Sequence, residues 1–247
     1  MLLKYSGTER WQVQKEQINE VKAIRAVFKW ALAKKLIPSN PAKDVSYLRN
    51  ASDGYHTWTE EEVQQFENHH PIGSKAHLAL ALGLYTGMRR SDAIRLGKQH
   101  VKDGEITFTV FKGRNKKLKR LTIQMLPALQ TIIDATPCCG DLTFLVTEKG
   151  TPFKDMSFSK RFKKWCNQAG LPKECVFHGL RKAGATRAAN EGATTSQLMA
   201  IFGWDSMRTA EIYTRAANQQ RLAKSAMHLL ESGTKKVSLQ VPPKKSL

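Results

Sequence analysis

The chain has 247 residues, 41% of them hydrophobic and 25% charged, a composition typical of a globular protein and not of a disordered one. Lysine and arginine total 40 against 21 acidic residues, so the net charge is +19, which favours a polyanionic partner and nucleic acid above all. No apolar run reaches the roughly 20 residues that span a bilayer, and the first residues contain no apolar core of signal-peptide length, so we expect neither a membrane protein nor a secreted one.

The positive charge is distributed over several segments of the chain. A helix that binds anionic membranes concentrates its basic residues on one polar face. Here they occur in a hairpin turn, along a helix and in the C-terminal tail, in the stretches KGRNKK, SKRFKK and TKK. The distribution therefore favours nucleic acid over a membrane surface.

The cysteines predict neither a disulfide framework nor a metal site. Cys138 and Cys139 are adjacent, and the other two, Cys166 and Cys175, form no CxxC pair with them. Cys175 and His178 have a C-x-x-H spacing, but no second ligand pair accompanies them in the sequence. We expect four reduced thiols, no metal and no cofactor.

The N-terminal part of the chain is predicted to be a long helix followed by a linker. Apolar residues recur at spacings of three and four over residues 9–36, including Ile18, Val21 and Phe28, and two prolines after residue 37 end the pattern. Thr59 with Glu62 forms a capping box that opens the next helix. We therefore assign residues 1–56 to a partial helical segment with its linker, and residues 57–232 to the main domain.

The main domain is predicted to be α+β, mostly helical with a small antiparallel sheet. An apolar helix runs from about Lys75 to Thr86, and alternation on both sides of KGRNKK predicts a hairpin over residues 105–123. Further helices are expected within residues 153–169 and over about 179–191, 195–202 and 207–230, with Thr194 and Ser206 as caps of the last two. The tail, residues 233–247, contains an alternating Val237, Leu239 and Val241 that predicts a short strand.

Several residues that could hold or attack a phosphate follow the apolar helix. Arg89 and Arg90 stand at its end, and Asp92 lies three residues beyond Arg89, within reach to brace it. His178 and Arg181 are at i and i+3, so one helical turn presents both side chains to the same point. The remaining candidates are Lys112 at the hairpin, Trp204 after a glycine turn, and Tyr213 on the last helix.

Four of these stretches, TGMRRSD, HGLR, FGW and IYTR, resemble motifs of the tyrosine recombinase (phage integrase) family in order and approximate spacing. The resemblance extends over roughly residues 57–230. It implies that Tyr213 attacks a DNA phosphodiester to form a 3′-phosphotyrosyl link and free a 5′-hydroxyl, while Arg89 and Arg181 hold the non-bridging oxygens.

The resemblance also implies roles for the remaining candidates. Lys112 would protonate the leaving 5′-oxygen, although Lys116 and Lys117 compete for that role. His178 would assist proton transfer, and Trp204 would occupy a position filled by histidine or tryptophan in relatives. Lys182 stands where many relatives have a second histidine.

Phosphoryl transfer accounts for these residue types independently of the family. Charge develops on the phosphate oxygens, and two planar guanidinium groups match phosphate geometry better than ammonium groups. The phenol of tyrosine, with a pKa of about 10, attacks poorly unless cations lower that value or a base takes its proton. A metal-dependent nuclease would need clustered carboxylates, and Asp92 is the only acid near either arginine motif.

Each candidate also has a structural interpretation. Arg90 is expected to be the solvated arginine of the pair and a DNA contact, and Tyr213 is preferred as nucleophile partly because Tyr55 is placed outside the main domain. The expected DNA contacts are Arg90, Arg114, Lys116, Lys160, Arg161 and Lys164. Two alternative functions stay open: a type IB topoisomerase-like enzyme, and a non-catalytic DNA-binding protein of the same fold.

The organisation of the chain leads to expectations about assembly. Relatives carry a full helical core-binding domain before the catalytic one, so only part of such a domain is expected here. The resemblance implies double-stranded attachment sites as substrate, a monomer without DNA, a homotetramer on it, and a cytoplasmic location with the nucleoid. We expect the tail strand to add to a sheet in a neighbouring subunit, so that deletion after Gly233 spares cleavage but weakens assembly.

Overall fold

A computed structural model describes residues 7–46, 54–110, 119–136 and 142–230. The chain divides into two compact units between Gly54 and Tyr55, two residues before the boundary expected from the sequence. Within the described ranges, no helix is both long enough and apolar enough to cross a membrane.

The first unit is built on helix α1, Gly7–Ala33, close to the predicted span. Arg25, on the face of this helix, donates hydrogen bonds to the carbonyls of Ala42 at 2.8 Å and Lys43 at 2.9 Å, and also to that of Val45. The segment after the helix is therefore folded back along it by one side chain. Ile24, Val27 and Trp30 are exposed on the same helix, and from residue 16 onward its apolar residues are at most half-buried.

The second unit begins with two capped helices. Helix α2 is Glu60–His69, and the capping box of Thr59 and Glu62 is present as predicted. Helix α3, Lys75–Thr86, is buried along nearly its whole length and ends at Gly87 in the left-handed conformation. A short helix, α4, Arg90–Ala93, follows at once and has Arg89 as its N-cap residue.

An antiparallel sheet of three strands lies next in the chain, in the order β1-β2-β3. Strand β2, Glu105–Thr109, pairs with β3, Arg120–Gln124, in the register Ile106 opposite Ile123. This is the predicted hairpin, and its apolar side packs on the core. Strand β1, Val101–Lys102, was not predicted, because two residues are too few to show an alternation of apolar and polar side chains.

Of the five remaining helices, all but the first follow the predicted positions closely. They are α5 Pro127–Asp134, α6 Asp155–Gln168, α7 Phe177–Asn190, α8 Thr195–Phe202 and α9 Met207–Ala226, which continues as a 3-10 turn over Met227–Leu230. Helix α5 was not predicted. Thr194 caps α8 with Gln197 as expected, whereas Ser206 stands at the N-cap of α9 without a side-chain hydrogen bond. The predicted fold class, mostly helical with a small antiparallel sheet, is confirmed.

The core brings the middle of the chain against its C-terminal third. Helix α3 packs on α7, and the contact is close because Gly83 faces Leu180 while Gly184 faces the carbonyl of Leu84. Aromatic rings of Phe66, Phe158, Phe162, Trp165 and Phe177 pack edge-on or stacked beside this contact. The two arginine motifs, about 90 residues apart in the chain, are thereby carried on packed helices.

Gly87 is expected to tolerate no side chain. Its φ is +59°, and an added Cβ would lie 2.2 Å from Cε1 of Phe202, so Gly87→Ala adds a steric overlap to backbone strain. We expect the free energy of unfolding to fall by roughly 2–5 kcal/mol, measured by urea denaturation.

Gly150→Ala is the matched control for backbone strain alone. Gly150 has φ +73°, and no atom of the described residues would lie within 4 Å of the new Cβ. Its loss should stay near 1–2 kcal/mol, about the cost of the left-handed conformation. Equal losses for the two variants would contradict the close contact between Gly87 and Phe202.

The hairpin tip and the tail lie outside the described residues. Several predictions concern residues outside the described ranges: Lys112, Arg114, Lys116 and Lys117 in the expected hairpin turn, the adjacent Cys138 and Cys139, and the strand predicted at Val237, Leu239 and Val241.

Candidate active site

Arg181 occupies a buried position where the ends of two other helices converge. Only 7% of the residue is exposed, and its guanidinium donates hydrogen bonds to the carbonyl of Gly87, after α3, and to that of Phe202, the last residue of α8. The guanidinium carbon lies 5.3 Å from the ring centre of Phe202 and 5.4 Å from that of Trp204, distances typical of cation–π contacts. Backbone carbonyls and aromatic rings, not a carboxylate partner, thus fix its orientation.

The electrostatic surroundings show which groups lie near Arg181. The pKa of its guanidinium is lowered to about 10, mainly by burial and also by the positive charge of Arg89. Tyr213 and Asp92 act in the opposite direction. The group is still cationic at neutral pH, and residues from two other motifs lie within its electrostatic range.

Arg89 reaches this site because the chain reverses at Gly87. The left-handed Gly87 ends α3, and Arg89 follows as the extended N-cap residue of α4, with φ −68° and ψ 154°. Its side chain is half-buried, and no direct hydrogen bond or ion pair to it occurs within the described ranges. A half-buried guanidinium without such a hydrogen bond or ion pair is suited to bind an anion. The expected brace between Asp92 and Arg89 stays a prediction; Asp92 is buried, and its charge acts on Arg181.

Arg90 differs from the expectation of a solvated charge. Its Nε donates to Oδ1 of Asp155 at 3.2 Å, and its Nη1 donates to Oγ of Ser159 at 2.6 Å. The side chain therefore ties α4 to the start of α6. The sequence pattern missed this because Asp155 and Ser159 lie more than 60 residues away.

The aromatic rings of Phe202 and Trp204 connect Arg181 to Tyr213 on α9. Phe202 stacks on Trp204 with ring centres 4.9 Å apart and planes inclined by 18°. Trp204 in turn stacks on Tyr213, at 5.4 Å and 8°. Gly203 permits this arrangement because it takes the left-handed conformation, φ +62°, between the first two rings. Trp204 is thus a spacer that sets the position of the phenol relative to Arg181.

Helix α9 packs against its own chain, so Tyr213 belongs to the same chain as the rest of the site. Ala210, Thr214 and Ala217 form its buried face, and the hydroxyl of Thr214 lies 3.2 Å from that of Thr195 on α8. This places the adjacent Tyr213 at the boundary of the buried face, half-exposed. Burial raises the pKa of the Tyr213 phenol, while the charge of Arg181 partly offsets that rise. The phenol is therefore protonated at neutral pH without substrate.

His178 lies one turn before Arg181 on α7 and meets a residue that the sequence analysis set aside. The ring of Tyr55 lies 4.7 Å from the His178 ring at 58°, and the Tyr55 carbonyl accepts a hydrogen bond from Nζ of Lys182 at 2.8 Å. Tyr55 thus belongs to the second unit and borders the site, which corrects its assignment outside the main domain. No sequence signal could have found this contact, since Tyr55 is 123 residues before His178.

Lys119, also missed, links the hairpin to the turn that carries Trp204. Its Nζ forms an ion pair with Asp205 and donates to the carbonyl of Gly203 at 3.1 Å. Hydrogen bonding and charge from Lys119 lower the pKa of the Asp205 carboxyl, and Arg89 contributes in the same direction. The base of the hairpin is therefore held at the active-site turn.

The Lys119 link is expected to affect cleavage through positioning. Lys119→Met releases the hairpin base from the Gly203 turn, so we expect roughly tenfold slower formation of a covalent DNA adduct under single-turnover conditions. Asp205→Asn should give a similar but smaller loss. In the double variant the two losses should not add, because both changes break the same link. Fully additive losses would contradict it.

The candidate DNA contacts on α6 differ in their surroundings. Lys160 and Lys164 are exposed, whereas Arg161 forms an ion pair with Glu148 at 3.3 Å. Lys160 and Lys164 lie on the helix opposite its buried face of Phe158, Phe162, Trp165 and Cys166, whereas Arg161 is half-buried beside that face. This solvated basic face is available to a polyanion.

The geometry brings together most of the residues singled out in the sequence. Arg89, Arg181, Trp204 and Tyr213 form one cluster, and His178 and Asp92 lie on the helices that position it. Two guanidinium groups beside a phenol can bind a tetrahedral anion and stabilise the charge that develops when the phenol attacks it.

Comparison with known proteins identifies the family. Residues 57–220 match the family model described as phage integrase family. The chain belongs to the phage integrase family. An integrase of Mycobacterium phage L5 is 30% identical over 213 residues, which cover 78% of this chain and 57% of the phage protein. A protein named tyrosine recombinase XerD from Ralstonia nicotianae is 23% identical over 81% of this chain and 69% of its own length.

Solved structures of integrases share the fold. A lambda integrase (75-356) dimer bound to a COC′ core site superposes with a TM-score of 0.62 at 18% identity, covering 84% of this chain and 82% of the other. The Tn1549 transposon integrase in complex with transposon right end DNA gives a TM-score of 0.64 at 18% identity, over 83% and 78% of the two chains. The predicted family, and with it the class of tyrosine-type DNA strand transferase, is confirmed. Its relatives do not favour the topoisomerase alternative.

Proposed function

We propose that this phage integrase family member cleaves and rejoins double-stranded DNA at specific sites with Tyr213 as nucleophile. The observation that carries the proposal is the cluster of Arg181, Trp204 and Tyr213, in which the phenol is stacked on the ring over which the buried guanidinium lies. The relatives named as recombinases, and the solved complexes of integrases with a core site and with transposon right end DNA, support DNA as substrate.

In the proposed reaction a backbone phosphate binds between Arg89 and Arg181. The Tyr213 phenol oxygen forms a bond to phosphorus, and the bond from phosphorus to the 5′-oxygen breaks. The phenol loses its proton as it attacks, and the 5′-oxygen gains one as it leaves, with Lys112 as the proposed donor and His178 assisting. The 3′-phosphotyrosyl link keeps the phosphodiester in an activated form, so a 5′-hydroxyl from either duplex can attack it and reseal the strand without ATP.

The two arginines have different tasks in this scheme. Arg181 is held by two carbonyls and two rings, so it presents a fixed charge that needs no rearrangement when the phosphate arrives. The side chain of Arg89 has no hydrogen bond or ion pair in the described part of the chain and can turn toward the second oxygen. The two cations offset the negative charge that the bound phosphate places beside Tyr213. They also stabilise the phenolate that forms as the phenol attacks.

Recombination requires more than one chain. An exchange between two duplexes breaks four strands, and the proposed site contains one nucleophile per chain, so four chains must act together. We therefore propose that four copies of the chain assemble on DNA as a homotetramer. We also propose that Lys160 and Lys164 contact the DNA backbone and that the protein is located with the nucleoid. A net charge of +19 supports DNA binding that weakens steeply with salt.

A nicked suicide substrate tests the proposal. The nick lets a short fragment that carries the 5′-hydroxyl diffuse away, so each cleavage leaves the protein joined to DNA. We expect a denaturation-resistant adduct at the 3′-phosphate in buffer with EDTA, and peptide mapping of the adduct to the segment that contains Tyr213. No adduct at any DNA site, or one that depends on a divalent metal, would overturn the proposal. Relaxation of supercoiled DNA lacking a specific site would instead support a topoisomerase.

A further inference from the structure

A histidine, a glutamate and a cysteine from distant parts of the chain converge beside helix α7. Nε2 of His56 lies 2.7 Å from Oε2 and 3.0 Å from Oε1 of Glu62. The thiol of Cys175 lies close to the same carboxylate, and burial together with the charge of that carboxylate raises the pKa of the thiol. One potential metal-ligand atom from each residue lies within 4.8 Å of the other two. His56 and Glu62 are half-buried, and Cys175 is buried.

The three side chains are held in place by the fold without any bound ion. Glu62 is fixed by its capping box, in which Oε2 accepts from the backbone N–H of Thr59 at 2.9 Å. Trp58, which is buried, donates its indole N–H to the carbonyl of Val176 at 3.1 Å and so anchors the His56 segment next to Cys175. A preformed cluster of this kind loses little conformational freedom when it binds an ion.

We propose that His56, Glu62 and Cys175 bind one transition-metal ion of the Zn²⁺ type, with water as fourth ligand. Imidazole and thiolate together select Zn²⁺ or Co²⁺ over Mg²⁺ and Ca²⁺, which prefer oxygen ligands. Zinc bonds of about 2.0–2.3 Å place ligand atoms roughly 3.3–3.7 Å apart in a tetrahedron. Binding therefore needs a small separation of His56 from Glu62, and an approach of about 1 Å at most where two ligand atoms are as far apart as the 4.8 Å limit. The side chains of His56 and Glu62 are 32% and 15% exposed, which leaves a solvent side for the water.

The ion would join the start of the second unit to the entrance of α7. His56 is adjacent to Tyr55, which contacts His178, and Cys175 lies two residues before the first residue of that helix. The ligands are separate from Arg89, Arg181 and Tyr213, so the metal site does not depend on the proposed strand transfer. Its test needs no DNA.

Titration of the full chain with Co²⁺, after dialysis against a chelator, reads out the site directly. We expect one ion per chain and a thiolate-to-cobalt charge-transfer band, displaced by Zn²⁺. Cys175→Ser should lose the band and weaken affinity by at least about a hundredfold, more than loss of an outer-shell partner usually costs. Zn²⁺ should raise the melting temperature of wild type and not that of Cys175→Ser.

Two further variants keep the test decisive if Cys175→Ser does not fold. Glu62→Gln preserves the capping box, since glutamine also serves at that position, and His56→Gln changes a half-exposed side chain. Both should weaken Co²⁺ binding at least tenfold. The control, with Cys138→Ser and Cys139→Ser together, should retain the band. The proposal is overturned if wild type gives no band, if the band survives Cys175→Ser, if it disappears in the control, or if His56→Gln and Glu62→Gln bind as wild type does.

Discussion

Tyr213→Phe is expected to abolish the covalent adduct on a nicked suicide substrate while DNA affinity stays within about threefold of wild type. The substitution removes only the phenol hydroxyl. The phenylalanine ring can keep the stack on Trp204, in which the planes of the two rings are inclined by 8° in wild type. Loss of the nucleophile should lower cleavage by at least about 10⁴-fold, as removal of a covalent catalyst does elsewhere. Adduct formation and filter binding measured on the same DNA separate chemistry from affinity.

Tyr85→Phe is the matched control for this experiment. Tyr85 is half-buried on α3 and packs against the main core. It should form the adduct at close to the wild-type rate. Persistence of the adduct in Tyr213→Phe would show that another residue attacks the phosphate, whereas unchanged DNA affinity in that variant, with no adduct even from the wild-type protein, would favour the non-catalytic DNA-binding alternative.

Arg181→Lys is expected to slow adduct formation by roughly 10²–10³-fold, the effect of losing one preorganised donor to a developing charge. A lysine cannot donate to the carbonyls of Gly87 and Phe202 and still present a second face to phosphate, as the planar guanidinium does. Burial also matters. The environment that lowers the pKa of Arg181 to about 10 would lower that of a lysine, which starts from about 10.4, much closer to neutral pH.

The pH dependence of the lysine variant follows from this argument. Lysine is charged below its pKa, so the residual activity of Arg181→Lys, relative to wild type at each pH, should fall as pH rises from 7 to 9. Arg187→Lys on the same helix is the control, because Arg187 pairs with Glu60 near the surface, with Nε 3.1 Å from Oε1. It should change the rate less than about threefold. Equal effects of the two substitutions would refute a special role for the buried position.

The sequence by itself determined the local structure and the list of reacting groups. The capping boxes of Thr59 and Thr194, the end of α3 at Gly87 and the β2–β3 pairing depend on neighbouring residues or on a simple alternation, so they were predictable. Four motifs in order sufficed for the family because each motif is short and local.

Only the tertiary structure decided which of those groups meet and through what. The packing of α3 on α7 delivers Arg181 to the Gly87 turn, and the stack on Trp204 sets the place of Tyr213. The partners of Arg90, the contact of Tyr55 with His178 and the link from Lys119 to Asp205 join residues separated by more than 60 positions. Local pattern carries no information about such pairs, because their energies arise only when the core has brought distant helices together.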